Sequence, residues 1–185
     1  MMTFFTHAKA ALKRFAQDTR GTVAVETVIV LPVLFWTLTA SYVYFDANHQ
    51  HSINVKANYT MGDVLSRETE AITDSYVDGM QSLFTFMVEP DSTPRMRITV
   101  AMWDEEDNKF KLDWSEARST ASAHSQTTLN AMSDSLPTMM DNERIIIVET
   151  WTTHTPIFDV GLSQQTIYNI SFTSPRFAPQ LVFDS

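Results

Sequence analysis

The stretch Gly21–Phe45, GTVAVETVIVLPVLFWTLTASYVYF, decides how this chain is organised. Beyond Gly21 it is an almost unbroken run of apolar and hydroxyl side chains, interrupted by one charge, Glu26, and one proline, Pro32. About 20 apolar residues, each rising about 1.5 Å, cross a bilayer as one helix, so residues 22–45 are predicted to be a transmembrane helix. A carboxylate inside such a span costs roughly 2.5 to 3.5 kcal/mol at the helix centre and less near an end. Keeping one there makes Glu26 the first functional candidate. Pro32 has no N–H to give the Val28 carbonyl and is expected to kink the helix. Tyr42, Tyr44 and Phe45 fall where an aromatic belt meets the outer interface.

The flanks of the span carry opposite charge. Before Gly21, Lys9, Lys13, Arg14 and Arg20 stand against Asp18, a net of +3; from Asp46 onward 9 basic residues stand against 20 acidic ones, a net of −11. Basic residues just before an apolar span favour a cytoplasmic N-terminus, which puts the acidic bulk outside the cytoplasm. Residues 1–21 therefore read as a cytoplasmic basic leader and 46–185 as one extracytoplasmic domain. An acidic surface of that size argues against a nucleic-acid partner, whose phosphates demand Lys and Arg. The absence of cysteine excludes a disulfide framework, a Cys-ligated zinc site and a Cys nucleophile.

Within the leader, Phe4, Phe5, Ala8, Leu12 and Phe15 recur at helical spacing with Lys9, Lys13 and Arg14 between them. This pattern fits a short amphipathic helix on an anionic inner leaflet, and equally an ordinary positive-inside flank. A cleaved secretory signal fits poorly, because its apolar region normally runs roughly 7 to 15 residues and lacks an acid.

The local pattern is more specific than a generic span. Arg20-Gly21-Thr22-Val23-Ala24-Val25-Glu26 is a basic residue, a glycine, four small or β-branched residues, then glutamate. It resembles the type IV prepilin processing motif, in which a prepilin peptidase cuts after the glycine and leaves glutamate at the fifth mature position. The wider frame, from Phe15 through Glu26 to Val30-Leu31-Pro32, resembles the TadE/TadG-like family of the tight adherence (Flp pilus) systems over about the first fifty residues. Flp-type prepilins usually place an aromatic after the glutamate; here the residue is Thr27. The resemblance implies cleavage between Gly21 and Thr22. It also implies a role for Glu26 in subunit assembly, and a minor pilin or pseudopilin of the bacterial inner membrane. Its partners would be other minor pilins, the major pilin, the prepilin peptidase and the inner-membrane assembly platform.

After the span the helix is predicted to continue, because Ile53, Ala57, Met61, Val64 and Leu65 keep one apolar face. Ile72, Tyr76, Met80, Leu83, Phe84 and Met87 repeat that pattern, with Thr69 as the expected N-cap and Glu89-Pro90 as the stop. From Arg95 the period becomes two. Met96, Ile98, Val100 and Met102 face one way, and after the acidic turn Asp104–Asn108 the alternation resumes with Phe110, Leu112 and Trp114 against Lys109, Lys111 and Asp113: a half-buried β-hairpin. Residues 122–140 are polar, with a short helix suggested by Ala123, Leu129 and Met132. Ile145-Ile146-Ile147-Val148 reads as a central strand, apolar on both faces and ended by Pro156. A last strand is expected over 166–173, where Tyr168, Ile170 and Phe172 alternate. The predicted fold class is α+β: a long N-terminal transmembrane helix extending into a pilin-like domain, with a second helix packed on a four-stranded antiparallel sheet.

No catalytic site is announced. GxSxG, P-loop and dinucleotide fingerprints are missing from the sequence, so an enzyme is not expected and no cofactor is assigned. The turn Asp104–Asn108 has acids enough to suggest calcium but lacks the spacing and glycine of an EF-hand loop, and reads better as a solvated turn. His49 and His51, two apart, make a poor metal pair on a helix. His124 and His154 have no partner nearby in sequence. The rival reading is a stably anchored extracytoplasmic binding or sensor domain that keeps its leader.

Overall fold

The computed structural model describes Arg14, residues 20–88 and residues 93–184. Helix α1 runs unbroken from Arg20–Arg67, so span and domain share one 48-residue element. It is followed by β1 (Ile72–Thr73), α2 (Asp74–Val88), β2 (Arg95–Asp104), β3 (Lys109–Arg118), α3 (Gln126–Ala131), β4 (Arg144–His154), β5 (Gln165–Thr173) and β6 (Phe183–Asp184). The chain is α+β, with a four-stranded antiparallel sheet in the order β3-β2-β4-β5. Apart from Arg14, the backbone of Arg20 and Gly21, the leader lies outside the described residues, as does the Glu89-Pro90 stop.

The helical periodicity after Asp46 has a direct structural cause. Ala57, Met61 and Leu65 are fully buried, and with Val77, Met80 and Phe84 from α2 they cover Met96, Ile98, Val100, Ile146 and Val148 of the sheet. Burying a side chain of this size is worth roughly 1.5–3 kcal/mol, which outweighs the modest cost of fixing aliphatic rotamers. Where α1 crosses β5, Gly62 lets the backbones approach: a Cβ there would lie 3.3 Å from Ser171 Oγ. β4 is central as expected. Ile146 and Val148 face the helices, and Ile145 and Ile147 face the other way into a second cluster with Ala101, Phe110 and Leu129. That second face is covered by α3 and the segment after it, where Met132, Leu136 and Met139 pack.

Three local expectations need correction. Ile72 is strand, not helix: it pairs in parallel with Phe183, and its N–H donates to the Val182 carbonyl at 2.8 Å. The α2 cap is therefore Thr73, whose Oγ1 accepts the Tyr76 N–H at 3.3 Å, while Thr69 only donates its N–H to Glu68. Trp114 does not share a face with Phe110 and Leu112. The β2–β3 register steps from Val100↔Trp114 to Ala101↔Leu112, so Asp113 is an extra residue and turns Trp114 to the helix side. There its Nε1 donates to the Leu181 carbonyl at 2.7 Å, clamping the C-terminal segment across the core.

Candidate functional site

The residues singled out in the span lie on the N-terminal half of α1. Gly21, Thr22, Glu26 and Pro32 are all helical and all exposed, and the helix stays bare from Gly21 to Leu38. A Cβ at Gly21 would meet nothing within 4 Å. Hydroxyls in the run are satisfied within the helix: Thr27 donates to the Val23 carbonyl at 2.8 Å, Thr37 to Val33 at 2.8 Å and Ser41 to Thr37 at 2.8 Å. Such back-bonding lets hydroxyl side chains enter hydrocarbon without an unmatched donor. Glu26 has no comparable match; among the described residues it forms no ion pair or hydrogen bond. The helix continues through Pro32.

A run of exposed apolar residues this long has no place in water. Val23, Val28, Phe35 and Trp36 are each more than 60% exposed. This is the one helix among the described residues long and apolar enough to cross a membrane, with mean hydropathy 2.0 over an 18-residue stretch of it and none of that stretch buried. That is consistent with single-pass anchoring.

A second site lies on the sheet face away from α1, built from residues whose spacing along the chain does not mark them as a group. Glu149 is 3% exposed and gathers three side chains. Arg97 Nε and Nη2 each lie 2.7 Å from Oε2; His124 Nε2 lies 3.0 Å from the same oxygen; the Tyr168 hydroxyl donates to Oε1 at 2.9 Å. Arg97 also donates to the Ser122 carbonyl at 2.9 Å, and its guanidinium lies 5.2 Å from the centre of the Trp151 ring. Burial alone would raise the Glu149 pKa, but the Arg97 guanidinium and the Tyr168 hydroxyl outweigh it and hold the carboxyl below its ordinary value. His124 is pushed down, first by burial and then by the Arg97 charge, with Glu149 opposing. In its neutral form Nε2–H points to Glu149 and Nδ1 accepts from Thr128, 2.9 Å away. Tyr168 is raised by burial and the adjacent carboxylate. Every polar atom is matched within the protein, so the cluster ties the segment 119–125 and α3 to the sheet and presents no open coordination or nucleophile.

No family model, characterised protein or solved structure matches the chain.

The remaining candidates resolve from the geometry. At the hairpin turn, Lys111 pairs with Asp104, and lies 3.2 Å from Asp107, which also meets Lys109 at 3.4 Å. These lysines already occupy the carboxylates a calcium ion would need. Among the described residues, no three His, Asp or Glu side chains converge as a ligand set. His49 stacks on Phe45, with ring centres 6.5 Å apart. His154 Nε2 lies 3.6 Å from Asp46 Oδ2, beyond hydrogen-bond reach but close enough to place the end of β4 beside the first residue after the apolar run. That approach and the His124–Glu149 contact join residues far apart in sequence, so spacing could not reveal either.

Proposed function

We propose that this chain is a minor pilin or pseudopilin of a tight adherence (Flp, type IV-like) pilus system, a non-enzymatic subunit used in pilus biogenesis and surface adherence. The observation that carries this reading is α1 itself. One continuous helix has Gly21 and Glu26 at its bare start, the glutamate with no ion pair among the described residues, and packs its second half on an antiparallel sheet. A pilin needs that division of labour, with one half of the helix to sit in lipid and then in a filament core, the other to carry a soluble head.

The chemistry follows from the residues. A prepilin peptidase hydrolyses the Gly21–Thr22 amide, releasing the basic leader and creating an α-amino group at Thr22. That amine has a reference pKa of about 8 and is largely cationic near neutrality. In the assembled state it faces Glu26 of a neighbouring subunit. Each charge then offsets the desolvation of the other, and the pair fixes the register between subunits. The subunit would sit in the bacterial inner membrane with its N-terminus cytoplasmic and its head periplasmic. Other minor pilins, the major pilin and the assembly platform would be its partners, with extraction into the extracellular pilus as the end point.

Glu26→Ala tests the assembly role. Membrane insertion, read by carbonate extraction, should be unchanged, and sheared surface pili should fall. Normal pili from Glu26→Ala cells would remove that role and leave an unprocessed, stably anchored binding or sensor domain as the better account.

A further inference from the structure

The sheet is oriented along α1 so that one loop is delivered to the membrane end of the domain. Contacts down β4 show the direction. Asn58 Nδ2 donates to the Val148 carbonyl at 3.0 Å and to Thr150 Oγ1 at 3.1 Å; Thr152 Oγ1 donates to Asn54 at 2.6 Å; His154 faces Asp46. As strand numbers rise, helix numbers fall, so β4 runs toward the span. β5 runs back, from Gln165 and Ile167 beside the Tyr44–His51 turns of α1 to Ser171 and Thr173 beside Gly62. The β4–β5 loop, 155–164, therefore turns at the level of Tyr44 and Phe45, where the apolar run ends. Leu162 of this loop lines a crevice of about 310 Å³ together with Tyr44, Ala47, His51 and His154. Val43, one turn into the span from there, is only 2% exposed, whereas α1 is bare up to Leu38.

The composition of the loop fits that place. Its ten residues include Ile157, Phe158, Val160 and Leu162 and a single charge, Asp159, in a domain that is otherwise strongly acidic. Ile157 is 68% exposed and Phe158 52% exposed, side by side at the turn. Among the described residues they stay largely uncovered, and two large apolar side chains exposed together at the membrane end of a domain have a natural solvent in the interfacial zone of the bilayer. On α1, Tyr42, Tyr44 and Phe45 are exposed as well.

We propose that the β4–β5 loop is a second membrane contact, with Ile157 and Phe158 inserted in the outer interfacial layer of the same bilayer that α1 crosses. The domain is then held against the lipid surface at two points, α1 and the loop. This fixes its tilt and rotation before any partner is met. The inference rests on α1 being a membrane span and not on processing or pilus assembly.

The chain has no cysteine, so a single introduced thiol carries the only spin label. The full chain is reconstituted in phosphatidylcholine vesicles with the label at Phe158→Cys, and in a second preparation at Ile157→Cys. Leu34→Cys in the span and Met140→Cys, 81% exposed and just before the distal start of β4, serve as references. Collision with oxygen and with a water-soluble nickel chelate gives a depth parameter for each site. Labels at 157 and 158 should shift toward the Leu34→Cys value, losing nickel access relative to Met140→Cys. If they stay as open to nickel as Met140→Cys while Leu34→Cys reads lipid, the loop contact is wrong and the span stands. If Leu34→Cys is itself aqueous, the span reading falls and takes the loop with it. Protection from both reagents, with dipolar broadening that grows with protein density, would mean a second copy covers the loop and would overturn the lipid assignment.

Discussion

Removing the charge of Glu149 should be among the most damaging single changes in the domain. Its side chain is 4% exposed and that of Arg97 16% exposed, so neither charge can turn out to water when its partner is lost. In Glu149→Gln the shape is kept and Tyr168 retains an acceptor, but the guanidinium is left charged between Trp151 and the Ser122 carbonyl. Breaking a buried ion pair from one side costs about 3–5 kcal/mol. The remaining exposure of Arg97 and its other contacts place Glu149→Gln at the lower end, about 3 kcal/mol by the same reasoning. Arg97→Met leaves the carboxylate with only His124 and Tyr168 and should cost a similar amount. The double variant buries neither charge and should recover much of the loss, giving a coupling of at least about 2 kcal/mol. The assay is equilibrium unfolding of the full chain in detergent by urea, followed by tryptophan fluorescence, since Trp151 lies against Arg97. Single variants within about 0.5 kcal/mol of the parent would show that the cluster is solvated and refute the argument.

The same cluster sets the response to acid. His124 is held below its ordinary value, so the unfolded chain takes up that proton first. Stability is present above about pH 6.5 and is lost as pH falls toward the lower folded-state pKa. A second loss, from Glu149, begins as pH falls below its ordinary 4.5. Urea midpoints measured from pH 8 to 4 check both, and His124→Gln should flatten the upper limb alone. At the crossing of α1 and β5, Gly62→Ala should be close to neutral, because better helix propensity opposes the 3.3 Å approach to Ser171 Oγ. Gly62→Leu should lose about 1–3 kcal/mol in the same unfolding assay.

What could be read in advance was whatever depends on local periodicity. The bare run after Gly21, the apolar stripe through Ala57, Met61 and Leu65, and the two-faced Ile145–Val148 strand each report burial that a single element decides for itself. What could not be read depends on pairing across the fold. Ile72 continues the helical spacing of α2, yet the C-terminal Phe183 draws it into a strand. Trp114 keeps the alternation of Phe110 and Leu112, yet one extra residue at Asp113 reverses it. Glu149 sits in a strand whose pattern marks it only as polar, and its partners come from β2, β5 and the segment before α3. The β4–β5 loop shows its apolar content in sequence, but only the direction of β4 along α1 shows where that content points.

The account turns on the leader being removed from a subunit whose span then holds an amine and an acid for its neighbours. The most direct measurement is the intact mass and N-terminal sequence of the chain from membrane and pilus fractions, with and without the prepilin peptidase. The account predicts a chain beginning at Thr22 wherever the peptidase is present, and the full leader only where it is absent. A leader, Met1 to Gly21, still attached to every molecule in piliated cells would contradict it.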